Sequence, residues 1–249
     1  MPGFKDYFSS ASDRYRQFRP TYPVSLFEFL AAAAPSIDRA WDCGCGSGQA
    51  SVMLAKFFTR VTASDASAAQ IEQATPAANV RYVVSRAEQI AAEDGSIDVV
   101  TVAQAFHWLD QAEFFGEVTR VLKPGGLLAV WVYGLMSVNP EFDAVLTTFY
   151  RDVVGPYWPP ERTLVESGYA EVKFPFAAIA TPPFWMQAEW DFDHLLGYMN
   201  TWSAVKQYEK KHGSNPVELE RKNFLTAWGK GDTMQPIKWP LSLTVVRKP

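Results

Sequence analysis

WDCGCGSGQAS, Trp41 to Ser51, places three glycines at alternate positions, Gly44, Gly46 and Gly48, directly after the acid Asp42. A glycine loses more conformational freedom on folding than any other residue, so three so close together need a reason. The flanks supply one. Ala40–Cys43 is a short apolar run, and Gln49–Phe58 repeats apolar residues at helical spacing through Val52, Leu54, Ala55 and Phe58. The glycines therefore lie between a strand and a helix. In open parallel sheets ligands bind where strands end, and glycines there let backbone N–H groups approach a ligand closely. The alternative is a tight turn that needs positive φ and does nothing else.

Working outward, the first half alternates strand and helix. Arg60–Ser64 reads as a second strand stopped by Asp65, Ala66–Thr75 as a helix ending before Pro76, and Val80–Val84 as a third strand. Ile97–Ala103, IDVVTVA, is β-branched and apolar on both faces, as in a central parallel strand covered on both sides. Gln111–Val121 reads as a helix and Leu127–Tyr133 as a fifth strand. Strands separated by helices give a parallel sheet, and right-handed crossovers make it doubly wound. After Gly134 the character changes: six of nine tryptophans lie beyond residue 150. Val172–Phe176 and Leu241–Val246 read as two more strands, with a helical stretch between them. The expectation is an α/β fold with a mostly parallel, seven-stranded sheet. Its divisions are an N-terminal lid and first helix over 1–35, a core over 36–133, and a second half over 134–249 with a helical cap at about 184–232.

The totals are those of a soluble globular protein: 249 residues, 48% hydrophobic, 20% charged, net charge −4. No basic stripe is present for tracking phosphates, so nucleic acid is not an expected partner. No run of about 18 apolar residues predicts a membrane span. The opening MPGFKDYFSS lacks the pattern of a signal peptide. Cys43 and Cys45 are the only cysteines. A lone C-x-C lacks the ligand count for zinc, so no metal is expected and the pair reads as buried thiols in a cytoplasmic protein. The assembly is expected to be a monomer or a homodimer.

Which ligand suits the loop? G-x-G-x-G departs from the dinucleotide pattern, whose sixth position is glycine where Gln49 stands here. Asp65, about 20 residues on at the end of the second strand, is placed to bind a ribose diol. Asp42 is a poor neighbour for a pyrophosphate and a good one for an ammonium group. These residues resemble the class I S-adenosylmethionine-dependent methyltransferases. DCGCGSG is similar to their first motif, VTASDAS (Val61 to Ser67) to their second-strand acid, and SRAEQI (Ser85 to Ile90) to their adenine-binding turn. AQAFHWLD (Ala103 to Asp110) and RVLKPGG (Arg120 to Gly126) complete the set. FSSASDRYRQFRPTYP (Phe8 to Pro23) and the AFHW stretch resemble the trans-aconitate methyltransferase-like subgroup.

The resemblance implies a Rossmann-like fold and S-adenosylmethionine as cofactor, leaving S-adenosylhomocysteine. It places Gly44, Cys45, Gly46 and Gly48 against the methionyl part and has Asp42 hold the loop or the amino group. Asp65 takes the ribose hydroxyls. Ala66 and the turn at Ala87 flank adenine, Glu88 or the Ala87 backbone meets its amino group, and Arg86, Gln104 and Ala105 are further candidates at the cofactor. Arg86 cannot accept from the adenine amino group, because a guanidinium only donates.

Methyl transfer from a sulfonium needs position and exclusion of water above all. A general base is required only for a protonated acceptor. His107, after the fourth strand, is the candidate base or hydrogen-bond donor, or else a structural residue. Tyr15, Arg19, Tyr22, Trp108 and Trp202 are candidates for the acceptor pocket or its lid. Tyr15 and Arg19 share a helix face, turned to the cofactor or an acidic acceptor, or simply docked. Tyr198 and Tyr208 are further candidates for the wall. Asp193 and His194 are adjacent on a helix and do not face each other, so they make no dyad. The leading expectation is methylation of a small molecule, with a carboxylic acid as the acceptor considered first. The rivals are a cofactor-binding protein without turnover and an NAD-dependent oxidoreductase.

Overall fold

Ile97–Ala103 forms strand β4, and six of its seven residues are buried. It can be apolar on both faces because it lies mid-sheet, between β1 (Arg39–Cys43) and β5 (Leu122–Tyr133), both parallel to it. β2 (Arg60–Asp65) and β3 (Val80–Val84) extend the sheet beyond β1. The computed structural model describes residues 18–249, so Tyr15 lies outside the described residues.

Among the described residues the sheet has eight strands, one more than the pattern predicts, in the order β3-β2-β1-β4-β5-β8-β6, with β7 also on β8. The difference lies in the second half. Val172–Phe176 forms no strand. Phe174 packs against Phe106 and Phe115 instead, and the strand β6 is only Ala177–Ala178. β7 (Phe184–Trp190) is a seven-residue strand where the sequence reads as the start of a helical cap. β8 (Gln235–Arg247) starts six residues before the predicted Leu241. Its second half pairs with β5 and its first half with β7, both antiparallel. Pro236 and Pro240, which cannot donate to a ladder, hid that first half as a strand.

The helices follow their start signals. α1 spans Val24–Ala33 and α2 Gln49–Leu54, while α3 is only Ala68–Glu72. α4, Gln111–Val121, begins where the Asp110 carboxylate accepts from the Ala112 and Glu113 N–H groups. It buries Phe114, Val118 and Val121 on one sheet face with Trp41, Val100 and Phe106. The opposite face packs Leu26, Leu30, Leu54 and Trp131 with the aromatic second half. The helices predicted between the last strands are present as Phe192–Met199, Ser203–His212, Pro216–Leu219 and Arg221–Trp228.

One buried charge ties the lower edge of this sheet. Asp98 is fully buried in β4. It accepts from the Ser36 hydroxyl at 2.7 Å, the Arg39 N–H at 2.8 Å and the Lys123 ammonium at 2.7 Å. Deleting the carboxylate removes all three hydrogen bonds, at about 1 kcal/mol each, and leaves the partly exposed Lys123 to solvent. Asp98→Ala should lower the urea-unfolding free energy by about 3 kcal/mol. A loss below about 1 kcal/mol, the scale of a surface pair, would show that the bridge is not a structural tie.

Candidate functional site: a glycine cradle beside a cationic aromatic pocket

The strand order reverses between β1 and β4, so their carboxyl ends open a crevice. The glycine loop fills one lip. Gly44 has φ +67°, and a Cβ built on it would lie 2.7 Å from the Ala105 Cβ. Only a glycine lets the loop after β1 close on the loop after β4. Gly48, at φ +87°, caps the start of α2 in the left-handed region. The Cys45 N–H donates to the Ser64 carbonyl at 3.0 Å, keeping the loop against β2. Burial pushes the Cys43 and Cys45 thiols well above the ordinary thiol range, so neither is a nucleophile.

The two acids of the loop do different work. Asp42 is fully buried and accepts from the hydroxyls of Ser51, at 2.6 Å, and Thr101, at 2.9 Å. It ties β1 to α2 and β4 from beneath the loop. Burial raises its pKa to about 6, against the lowering effect of both hydroxyls. Asp65 is half-buried at the end of β2. One oxygen accepts from the Gly46 N–H at 2.9 Å and the other from the Ser67 N–H at 2.8 Å. A carboxylate at the end of β2, held against the glycine loop, is an acceptor of the kind a ribose diol needs. Beyond it, Ala66 is exposed and Ala87 buried. Arg86 points outward and its Nε donates to Glu88 at 3.1 Å. The cradle and carboxylate fit a nucleoside with a cationic amino-acid tail.

At the end of β4 the chain turns through Gln104, a non-glycine residue at φ +56°. Its amide side chain pairs with the Tyr133 backbone, accepting at 2.9 Å and donating at 3.3 Å. That contact carries the β4–β5 ladder one residue further and offsets the strained backbone. It also sets the floor of a cavity of about 80 Å³. The cavity brings together Arg19, His107, Trp108 and Trp202 of the expected residues, along with Tyr198. Tyr22 stands behind it, edge-on to Trp131 and Tyr133. Tyr208 is not among the lining residues; it packs against Tyr157 and His212. Asp193 and His194 are apart from the pocket's chemistry as well: the first pairs with Arg221 at 2.6 Å, the second stacks on Trp190 at 4.3 Å.

Two guanidinium groups line this cavity, and among the described residues no Asp or Glu does. Arg19 donates from Nη1 to the Tyr133 hydroxyl at 2.7 Å and lies 5.3 Å over the Tyr198 ring. Arg162 lies 4.4 Å over the Trp158 ring, and its Nε donates to the Tyr150 hydroxyl at 2.7 Å. Tyr150 in turn donates to Glu166 at 2.9 Å. The Trp158 Nε1–H is buried without a partner among the described residues. Arg162, Trp158 and Tyr150 were missed from sequence. The stretch between Tyr150 and Arg162 carries one proline pair, Pro159-Pro160, and no apolar periodicity. The one available signal was a charged residue among aromatics, Tyr157 to Arg162.

His107 sits in the one-turn helix Phe106–Trp108. Burial, and then the Arg162 charge, push its pKa down to about 4, with Glu161 opposing. The imidazole is therefore neutral at physiological pH. Among the described residues no group of three or more His, Cys, Asp or Glu side chains is placed to hold a metal, and no helix is long and apolar enough to cross a membrane.

Comparison with known proteins agrees with this arrangement. A family model described as a methyltransferase domain matches residues 41–130, from the end of β1 into β5. A Dictyostelium discoideum protein bearing a methyltransferase name is 34% identical over 229 residues, covering 90% of this chain and 87% of the relative. A Saccharomyces cerevisiae protein named for S-adenosylmethionine-dependent methyl transfer is 28% identical over 163 residues, 59% of this chain and 55% of its own. A solved structure from Anaeromyxobacter dehalogenans, described as a type II methyltransferase, is 43% identical. It covers 92% of this chain and 98% of its own, at a TM-score of 0.88. Likeness of this extent, in sequence and in structure together, arises within one family, and the chain belongs to the S-adenosylmethionine-dependent methyltransferases.

Proposed function

We propose that this enzyme methylates a carboxylate oxygen of a small organic acid. The observation that carries the reading is Arg162. Its side chain is only 17% exposed, and its Nε is engaged by Tyr150. No hydrogen bond is formed by either terminal nitrogen among the described residues. The Arg162 Nε has a long 4.0 Å ion pair to the exposed Glu166, and its two terminal nitrogens keep donors for an anionic ligand, in a cavity that also holds Arg19 and, among the described residues, no acid. Aromatic walls from Tyr150, Trp158, Tyr198 and Trp202 suit an unsaturated or aromatic acid. The resemblance to trans-aconitate methyltransferase-like proteins points the same way. A cavity of this size favours a small molecule over a macromolecule.

S-adenosylmethionine would supply an electrophilic methyl group on a sulfonium that is already a good leaving group. On this reading the glycine loop at Gly44 to Gly48 cradles its methionyl part, with Asp42 holding that loop from beneath. Asp65 accepts from the ribose hydroxyls, and Ala66 and Ala87 flank the adenine. The residues at the ends of β4 and β5 then align the acceptor and exclude water. A carboxylate is already ionised, so no proton has to leave and no side chain has to act as base.

The test has two stages. Calorimetry should detect tight binding of S-adenosylhomocysteine and none of NAD. Methyl transfer should then be assayed on small unsaturated and aromatic carboxylic acids alongside the matching amides and alcohols. Methyl esters should form from acids alone. Transfer to the alcohols or amides, with the acids untouched, would overturn the carboxylate reading and leave the family assignment standing.

A further inference from the structure

We propose that the hydroxyl of Tyr169 fixes His107 as the neutral tautomer protonated on Nε2, so that the histidine presents an N–H donor to the pocket and does not serve as a base. The inference deepens the acceptor-site reading above and rests on it for the donor's role; the tautomer itself stands on local geometry.

Tyr169 is almost completely buried, held at φ +63° just after Gly168. Its ring meets Phe106 edge-on at 5.2 Å and lies near parallel to His107 at 6.3 Å. Its oxygen is 2.9 Å from His107 Nδ1. A phenol carries one proton, and burial pushes its loss far above the ordinary tyrosine range. Two arrangements can fill that 2.9 Å contact. In the first the phenol donates to a bare Nδ1, and the imidazole proton sits on Nε2. In the second Nδ1–H donates to the phenol oxygen, and the phenol proton must find another acceptor.

The second arrangement leaves a buried hydroxyl unsatisfied, because Tyr169 has no other side-chain or carbonyl acceptor among the described residues. The first arrangement satisfies every group. His107 lines the cavity, and Nε2 is the ring nitrogen left to meet a ligand there. A protonated Nε2 complements a carboxylate oxygen and joins Arg162 as a second donor. A bare Nε2 would repel that oxygen and could only take a proton. Tyr169 is thus a positioning residue: it touches the histidine and leaves the acceptor to it.

The groups facing this ring are Arg162, Glu161, Tyr169 and Trp108. Arg162 opposes an imidazolium and Glu161 favours one, and with burial the balance keeps the ring neutral.

The tautomer can be read directly. The chain has three histidines, so long-range proton–nitrogen correlation spectra of the ¹⁵N-labelled protein give few signals. Comparison with His107→Gln assigns the relevant set. The expected spectrum shows Nδ1 as a bare ring nitrogen and Nε2 as a protonated one, unchanged from pH 8 to pH 5. In Tyr169→Phe both nitrogens should move toward the averaged values of a free imidazole. Protonation on Nδ1 in the native protein, titration near the ordinary pH of 6.5, or an unchanged tautomer in Tyr169→Phe would each overturn the proposal. Should that variant not fold, the native spectrum alone decides. The spectra need no acceptor, so failure of the carboxylate reading would not be mistaken for failure of this one.

Discussion

Asp65→Ala should weaken S-adenosylhomocysteine binding by about 100-fold or more in calorimetry. Hydrogen bonds to a charged group contribute about 1.5–3 kcal/mol each, and a tenfold loss corresponds to about 1.4 kcal/mol. The variant loses the acceptor for the ribose diol. It also loses the clamp on the loop, since the carboxylate holds the Gly46 N–H with one oxygen and the Ser67 N–H with the other. The isosteric Asp65→Asn separates the two effects. An amide has one acceptor oxygen and one donor nitrogen, yet both partners here are N–H donors. One contact therefore becomes donor against donor, and a loss of about tenfold is expected even at constant size. Thermal unfolding without ligand should differ little, because Asp65 is half-buried and sits at a strand end. Affinity within threefold of wild type for Asp65→Ala would mean that the end of β2 is not where the ribose is held.

Much of this site is legible in the sequence because it rests on local rules. A strand covered on both faces is rich in β-branched apolar residues, and the run IDVVTVA marks Ile97–Ala103 in that way despite its buried Asp98 and Thr101. Gln111–Val121 has the bounds read from its sequence, and the structure shows the Asp110 carboxylate capping its start. Glycines at alternate positions marked the loop, and three of them do take positive φ. What the sequence left open was the direction of a side chain. Asp42 could hold the loop or reach toward an amino group, and its burial beneath the Ser51 and Thr101 hydroxyls gives it the first task in this structure.

The second half was less legible because its contacts are made over long range. β7 pairs with β8 across some fifty residues, and no local periodicity encodes a partner. Phe192–Met199 begins only two residues after β7 ends, so the apolar residues of both ran together as one helical cap. The acceptor pocket has the same origin. Arg19, His107, Tyr150, Arg162 and Trp202 come from five separate segments. Arg19, His107 and Trp202 stood out in their own stretches, whereas Tyr150 and Arg162 look ordinary in theirs and gain meaning only from the convergence.

That convergence makes Arg162 the most informative position on the acceptor side. Arg162→Leu should lower kcat/KM for the accepted acid by about 100-fold, chiefly through KM, while the affinity for S-adenosylhomocysteine stays within twofold. The side chain removed carries the buried charge, and none of its contacts reaches the glycine loop. Arg162→Lys distinguishes charge from shape. An ammonium keeps the charge but loses the planar fork and the stacking on Trp158, so a loss of about tenfold is expected. Arg19→Leu should also raise the acid's KM, but by less, since Arg19 already spends Nη1 on the Tyr133 hydroxyl. A graded series, leucine worse than lysine at 162 with the cofactor unaffected, is what an anion-binding guanidinium produces. Equal kcat/KM for Arg162→Leu and wild type would make Arg162 a packing residue over Trp158. A parallel loss of cofactor affinity would overturn the assignment of Arg162 to the acceptor alone and place it on a coupling between the two halves of the site through β4 and β5.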